Sequence, residues 1–299
     1  MTQTAYLAAD GYLEPLLEEL GTPEEIYGNL VLMRGDAKPA YWAQNVWYDV
    51  QRAPVASIKD AAKQLRAIQR NWSVYSHDFH RRAALIQENL PHISAKPVEF
   101  PSPLPKAPLG AWTLIAPDAM LFAAKTASPY IHGEVHFVED KETPPNRAYL
   151  KLWEAFTLIE RLPKKGETCV DLGACPGGWS WVLAKTGADV ISVDKAPLEP
   201  HIAKMKNIAF RKESAFGIKP EVFGEVDWMC CDIACYPERL LRLVNEWLKA
   251  GNCKNFICTL KFQGPTDHAT AKQFAAIEGS RLLHLSCNKH ELTWIKLSD

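Results

Sequence analysis

Residues 168–181 read TCVDLGACPGGWSW. An apolar run ends in an acid, a loop then holds three glycines within six residues, and an apolar helix start follows. The same rhythm continues to the end of the chain. Strand-like runs follow at ADVISVD, NIAFRKE, VDWMCCDI, NFICTLKF, RLLHLSC and ELTWIKL, with helical AYLKLWEAFTLIERL, PERLLRLVNEWLKAG and TAKQFAAIEG between some of them. The first of these helices is expected to stop at Pro163. Such alternation predicts an open α/β sheet of the Rossmann-like type with helices on both faces. Only NKH separates the last two runs, too little for a parallel crossover, so they are expected to pair as an antiparallel hairpin. Ligands of such sheets sit beyond the carboxyl ends of the strands, where the glycine loop falls.

The loop is not a dinucleotide fingerprint. Gly173-Ala174-Cys175-Pro176-Gly177-Gly178 lacks the second glycine against which a pyrophosphate presses, and no phosphate-cradling G-x-x-x-x-G-K-[ST] occurs. A bare backbone beside Asp171 suits a zwitterionic amino-acid tail, with loop amides toward its carboxylate and Asp171 near its ammonium. Asp194 ends the second strand, where an acid can accept bonds from both ribose hydroxyls. These features together describe S-adenosylmethionine; a plain turn with a strand-end acid is the alternative. Trp179 could pack on that cofactor or fill the core of the first helix.

Composition is that of a soluble globule. Of the 299 residues 47% are hydrophobic, interrupted by charges throughout, so no run suits a bilayer span, and no leader follows Met1. A cytoplasmic protein with no membrane association is expected. The net charge is −1, with 21 Lys and Arg against 19 Asp and Glu from Glu142 onward and 13 against 16 before it, so RNA contact would rest on local patches. All eight cysteines (Cys169, Cys175, Cys230, Cys231, Cys235, Cys253, Cys258, Cys287) lie in the second half. They read as reduced core thiols, because Cys231 and Cys235 have no second ligand pair, and no metal is expected. His77, His80, His132 and His136 have no thiols or carboxylates arranged around them.

Proline-rich PVEFPSPLPKAP (97–108) and KETPPNR (141–147) punctuate the chain, and a boundary at about Pro145 gives domains 1–145 and 146–299. In the first, a strand and a helix ended by Gly21, then the strand GNLVLM, suit a small α+β unit. AWTLIA, AMLFAAK and GEVHFVE are expected strands between the two punctuation points. A helix from Ser57 to about Arg70 places Ile58, Ala61, Ala62, Leu65 and Ile68 on one side. Lys59, Lys63, Arg66 and Arg70 lie on another, with Arg81 and Arg82 nearby. That basic stripe could track RNA phosphates or be an ordinary solvated face.

DLGACPGGW resembles the cofactor loop of FtsJ-type RNA ribose 2′-O-methyltransferases, and RAYLKL, CDI, LKFQG and HELTW stand in that family's order; the bacterial RlmM subgroup, which methylates a cytidine ribose of 23S ribosomal RNA, is most similar. The resemblance spans about 147–297. It implies a catalytic Lys-Asp-Lys-Glu set at Lys151, Asp232, Lys261 and Glu291, with Asp232 also beside the cofactor. It further implies S-adenosylmethionine as cofactor, large-subunit ribosomal RNA as partner, and ferredoxin-like and THUMP-like RNA-binding modules in 1–145, a shorter front end than that subgroup carries. The family's adenine-holding acid near the end of the third strand falls on Glu213 or Ser214. Taken as chemistry, positioning dominates: alignment supplies about 7 to 11 kcal/mol and a general base about 10²- to 10⁴-fold. Lys261 is expected to accept the proton, steered by Asp232 and Glu291, while Lys151 steadies the ribose oxygen. A cap or transfer-RNA ribose methyltransferase is the rival enzyme, and an RNA-binding assembly factor with an inactive methyltransferase fold the rival of another class.

Overall fold

The structure, a computed structural model, describes residues 2–298. It divides into two compact units. One runs up to Val98 and resumes over Leu104–His136; the other comprises Glu99–Pro103 and the chain from Phe137 onward. The division thus falls ahead of the prolines at 144 and 145. Among the described residues no helix is long and apolar enough to cross a membrane.

The first unit runs β1 (Gln3–Ala8), α1 (Leu13–Leu20), β2 (Glu25–Tyr27), β3 (Leu30–Arg34), β4 (Ala43–Tyr48), β5 (Gln51–Pro54), α2 (Ile58–Ile68), β6 (Trp72–Val74), α3 (His80–Glu88), β7 (Gly110–Ala116), β8 (Ala119–Ala123) and β9 (Lys125–Thr126). One sheet has the order β2-β3-β1-β4-β9, the other β5-β8-β7-β6. Gly21 ends α1 at φ +84°, as its sequence position suggests. The Ser57 side chain accepts a hydrogen bond from the Asp60 amide at the start of α2. Ala61, Ala62 and Leu65 are fully buried, but Ile68 is 48% exposed, contrary to the expected apolar face. The helix ends there, and Trp72 closes the core instead, its Nε1 donating to the Leu65 and Gln69 carbonyls. GEVHFVE is not a strand either. His132 and Gly133 take positive φ in a 3-10 turn, which breaks the extended path, and a Cβ on Gly133 would collide with the Gln44 carbonyl.

The second unit runs α4 (Tyr149–Ile159), β10 (Thr168–Leu172), α5 (Gly178–Lys185), β11 (Asp189–Asp194), α6 (Pro200–Ala203), β12 (Ile208–Lys212), β13 (Val226–Cys231), α7 (Pro237–Ala250), β14 (Cys253–Lys261), α8 (His268–Ala275), β15 (Ser280–Leu283) and β16 (Glu291–Lys296). All seven expected strands form one sheet in the order β12-β11-β10-β13-β14-β16-β15. Neighbours from β12 to β14 pair in parallel, and β16 lies antiparallel between β14 and β15. The final antiparallel hairpin forms as expected, but β15 ends at Leu283, so residues 284–290 and not NKH alone make its connection. Right-handed crossovers run one way from β10 to β12 and the other way from β13 to β14, which puts their helices on opposite faces. Strand order reverses between β10 and β13, so a crevice opens beyond their carboxyl ends.

Helix α4 departs from the amphipathic pattern. Every residue from Tyr149 to Thr157 is buried, Lys151 and Glu154 among them. It stops at Ile159, where Glu160 adopts the left-handed conformation, ahead of Pro163. Leu152, Phe156, Trp179, Leu183, Trp228 and Ile257 pack in the core that α4 and α5 share with the sheet. A helix sunk this deeply can carry charged side chains only if each finds partners.

Candidate functional site

The crevice is built from the ends of three strands and one helix. Lys151 projects from α4, Asp232 follows the last residue of β13, Lys261 ends β14 and Glu291 starts β16. The pairing of β14 with β16 sets Lys261 opposite Glu291. All four side chains meet. Lys151 Nζ lies 3.0 Å from Asp232 Oδ1 and 2.8 Å from Glu291 Oε1. Lys261 Nζ lies 3.1 Å from the same Asp232 oxygen and donates to the Asp232 carbonyl at 2.5 Å. Asp232 thus bridges the two ammonium groups, and Glu291 holds the inner one.

Burial decides how the charges are arranged. Lys151 is only 8% exposed. Burial is the largest influence on it and pushes its ammonium down, but Asp232 and Glu291, by charge and hydrogen bonding, outweigh this and leave its pKa raised. Lys151 is therefore a fixed cation. Lys261 is the more accessible amine, its side chain 24% exposed against 10% for Lys151.

The glycine loop sits beyond β10. Gly173 and Gly177 have φ of +80° and +117°, and a Cβ on either would strike Ile233 or Ile202, so both positions require glycine. Gly178 is closed in by Asn146. Asp171 is 1% exposed. Its Oδ2 accepts a hydrogen bond from Ser180 Oγ at 2.6 Å, and Ser180 is joined in turn to Ser192 Oγ at 2.7 Å. Its Oδ1 is buried without a partner. Burial pushes this carboxyl up to about 7. An orphaned carboxylate oxygen beside a backbone that admits no Cβ fits the ammonium end of the expected cofactor.

The loop amides are arranged otherwise than expected. Gly173 and Ala174 N–H both donate to the Val193 carbonyl, at 2.9 and 3.2 Å, and Cys175 N–H donates to Asp194 Oδ2 at 3.0 Å. These three amides brace the loop against β11 and do not point toward a ligand carboxylate. Asp194 is part of that brace, its Oδ1 accepting from the Ala196 amide at 2.9 Å. Ribose hydroxyls would have to use its remaining lone pairs. Trp179 is buried in the core, and its Nε1 donates to the Ala148 carbonyl at 2.8 Å, which ties α5 to the start of the helix that carries Lys151. Pro176 accepts from the Glu199 amide. Glu213 is exposed and paired with Arg211 at 3.0 Å, and the Ser214 carbonyl accepts from Gly217 N–H.

Two groups escaped the sequence reading. Ser180 and Ser192 support Asp171, although serines at those spacings carry no signal by themselves. Glu154, one helical turn beyond Lys151, is 2% exposed and binds residues 286 and 287. Its only sequence mark is an acid set in the apolar run LWEAF.

The basic stripe lies in the first unit. Lys59, Lys63, Arg66 and Arg70 are exposed along and just beyond α2, and Arg81 is exposed on α3. Arg82 is half-buried there, with its Nε enclosed and unpartnered. Arg66 donates to the Asn89 carbonyl. Among the described residues no cluster of three His, Cys, Asp or Glu could hold a metal ion. Five of the eight thiols (Cys169, Cys230, Cys231, Cys235, Cys258) are buried, Cys253 and Cys287 are half-buried and Cys175 is exposed.

Residues 144–290, all of them in the second unit, match the family described as FtsJ-like methyltransferase. The chain is 38% identical over 120 residues to a ribosomal RNA large subunit methyltransferase M of Halorhodospira halophila, a match covering 39% of this chain and 35% of that one. It is 40% identical over 123 residues to the Xanthomonas oryzae pv. oryzae protein of the same name, again over 39% and 35%. The chain therefore spans about a third of the length of these curated relatives. The solved structure of the Methanococcus jannaschii fibrillarin pre-rRNA processing protein overlaps half of the chain and 74% of its own, at 18% identity and a TM-score of 0.37.

Proposed function

We propose that this FtsJ-like domain makes the chain an S-adenosylmethionine-dependent RNA ribose 2′-O-methyltransferase, with a cytidine of 23S ribosomal RNA as its target. The observation that carries the reading is the convergence of Lys151, Asp232, Lys261 and Glu291 at the rim of the crevice that also holds Asp171.

The cofactor, when bound, supplies an electrophilic methyl group. Asp171 would hold its ammonium through Oδ1, Asp194 would take its ribose, and Glu213 or Ser214, just past β12, would meet the adenine. On the acceptor side the task of this chain's residues is to seat a ribose hydroxyl and to remove its proton. Lys151, neutralised on two sides, places positive charge where the ribose oxygen gathers negative charge. Asp232 fixes the Lys261 amine through its carboxylate and its carbonyl. Two of the amine's positions are thereby committed, and the third is left for the acceptor. Lys261 would accept the hydroxyl proton, and holding the acceptor in place would supply most of the acceleration. No metal enters this scheme, and the protein works in the cytoplasm.

The amino-terminal unit supplies the RNA grip in this reading. Its β1-α1-β2-β3-β4 segment has the sheet order of a ferredoxin-like split βαβ unit, with a helix-free segment, residues 35–42, where a second crossover helix would stand. The stripe on α2 then meets phosphates.

Primer-extension mapping of methylated riboses in cells lacking the protein tests the assignment. Loss of one 23S ribosomal RNA signal supports it. Loss of a transfer-RNA or cap signal instead would leave the chemistry and change the substrate.

A further inference from the structure

We propose that Glu154 is a positioning residue of the transfer site, acting through the β15–β16 connection to fix Glu291. The inference rests on the methyltransferase reading above and extends it to a side chain that touches none of the reacting groups.

Glu154 and Lys151 stand three residues apart on α4 and so share one face of the helix. From that face the helix grips the connection between β15 and β16 once and the first residue of β16 once. Upstream, Glu154 Oε1 accepts from the Ser286 amide at 2.8 Å and from Ser286 Oγ at 2.7 Å, and Oε2 takes the Cys287 thiol at 3.5 Å. Downstream, Lys151 Nζ holds Glu291 Oε1 at 2.8 Å. The segment between the two grips is braced internally. Asn288 N–H donates to the Leu285 carbonyl at 3.0 Å, the Asn288 side chain meets Thr293 Oγ1 at 3.2 Å, and His284 Nε2 donates to the Lys289 carbonyl at 3.0 Å. A stiff segment clamped at 286–287 leaves Glu291 little freedom to leave Lys151.

The burial of Glu154 gives the clamp its purpose. A carboxylate in an apolar core is expensive unless its lone pairs are occupied, and a helix that needed only packing would hold a leucine here. Three donors from one short loop segment occupy it instead. Residues 286 and 287 precede the strand that carries Glu291, so releasing them frees the start of β16 from α4 before it frees anything at the cofactor loop. The geometry therefore separates two effects: loss of Glu154 disturbs the acceptor side and leaves the Asp171 side intact.

The test compares wild type, Glu154→Ala, Glu154→Gln and Ser286→Ala as full-length proteins at pH 8, with thermal melts to establish folding. Cofactor affinity is measured by calorimetry with S-adenosylhomocysteine, and kcat and KM by labelled methyl transfer to RNA from cells lacking the protein. The proposal expects Glu154→Ala to lower kcat at least tenfold with cofactor affinity within about threefold of wild type. Glu154→Gln, which can still accept from Ser286, should recover most of that loss, and Ser286→Ala should show a smaller loss of the same kind. Folded Glu154→Ala with wild-type kcat, or with kcat and cofactor affinity falling together, would overturn it. If Glu154→Ala does not fold, Ser286→Ala decides in its place: unchanged kcat overturns the proposal. Wild-type protein that binds cofactor but transfers no methyl to any RNA would instead overturn the underlying reading.

Discussion

Lys261 and Glu291 face each other as register partners across β14 and β16, yet the ion pairs they make are with Asp232 and Lys151 respectively. Strands β14 and β16 carry the two end members of this chain of ion pairs, and the end of β13 and α4 supply the two between them. Each side chain is therefore held by an element other than its own. Removing Lys261, an end member, leaves the Lys151–Asp232 and Lys151–Glu291 pairs in place. Lys261→Ala is expected to lower methyl transfer by 10² or more, the scale of a lost proton acceptor, with cofactor affinity unchanged by calorimetry. Near-normal turnover would remove Lys261 from that role.

If Asp171 holds the cofactor's ammonium as proposed, cofactor binding is expected to depend on pH. Burial raises its carboxyl to about 7, so much of it is protonated at pH 6. An ammonium ligand needs the charged form, and binding must expel the proton. Affinity for S-adenosylhomocysteine should tighten by roughly tenfold from pH 6 to pH 7.5, and proton release should appear as a buffer-dependent binding enthalpy. Asp171→Asn should lose both affinity and pH dependence.

Gly173→Ala tests the cradle. The substitution meets a left-handed φ and a collision with Ile233, strain on the order of 1–3 kcal/mol. The loop must shift to relieve it, so a tenfold or greater loss of cofactor affinity is expected in a protein that still melts cooperatively.

Glu154 gives a stability signature independent of catalysis. Its carboxyl, raised by burial to about 7, favours the protonated form in the folded state. That contribution is fully present below the ordinary carboxylate range of about 4.5 and is lost as pH rises through 7, on the order of 3 kcal/mol. Glu154→Gln lacks the titration. Measured by urea unfolding, its stability relative to wild type should improve between pH 5 and pH 8.

Reversing Lys63 and Arg66 to glutamate should weaken RNA binding and flatten its salt dependence, because each phosphate that is no longer neutralised keeps about one counterion that binding would otherwise release. Unchanged affinity would make the α2 stripe an ordinary solvated face.

The second unit was largely legible in the sequence, because parallel strands buried on both faces read as apolar runs and each ends at a turn. The Lys-Asp-Lys-Glu set was readable through family resemblance; its members lie far apart in the chain, and only the strand order brings them together. The internal use of the loop amides was not readable. Gly173, Ala174 and Cys175 look free in sequence, and only the approach of Val193 and Asp194 on the neighbouring strand occupies them. Glu154 was hidden for a similar reason, since its donors lie at 286 and 287. The positive-φ residues His132 and Gly133 defeated the expected strand at 133–139.

The most direct test of the central claim is alkaline hydrolysis of RNA labelled by this protein with a radioactive methyl group from S-adenosylmethionine. A methyl on a 2′ oxygen blocks cleavage at that residue, so the account predicts that the label emerges in alkali-resistant dinucleotides, and that none appears with Lys261→Ala. Label emerging in mononucleotides would place the methyl on a base and contradict it.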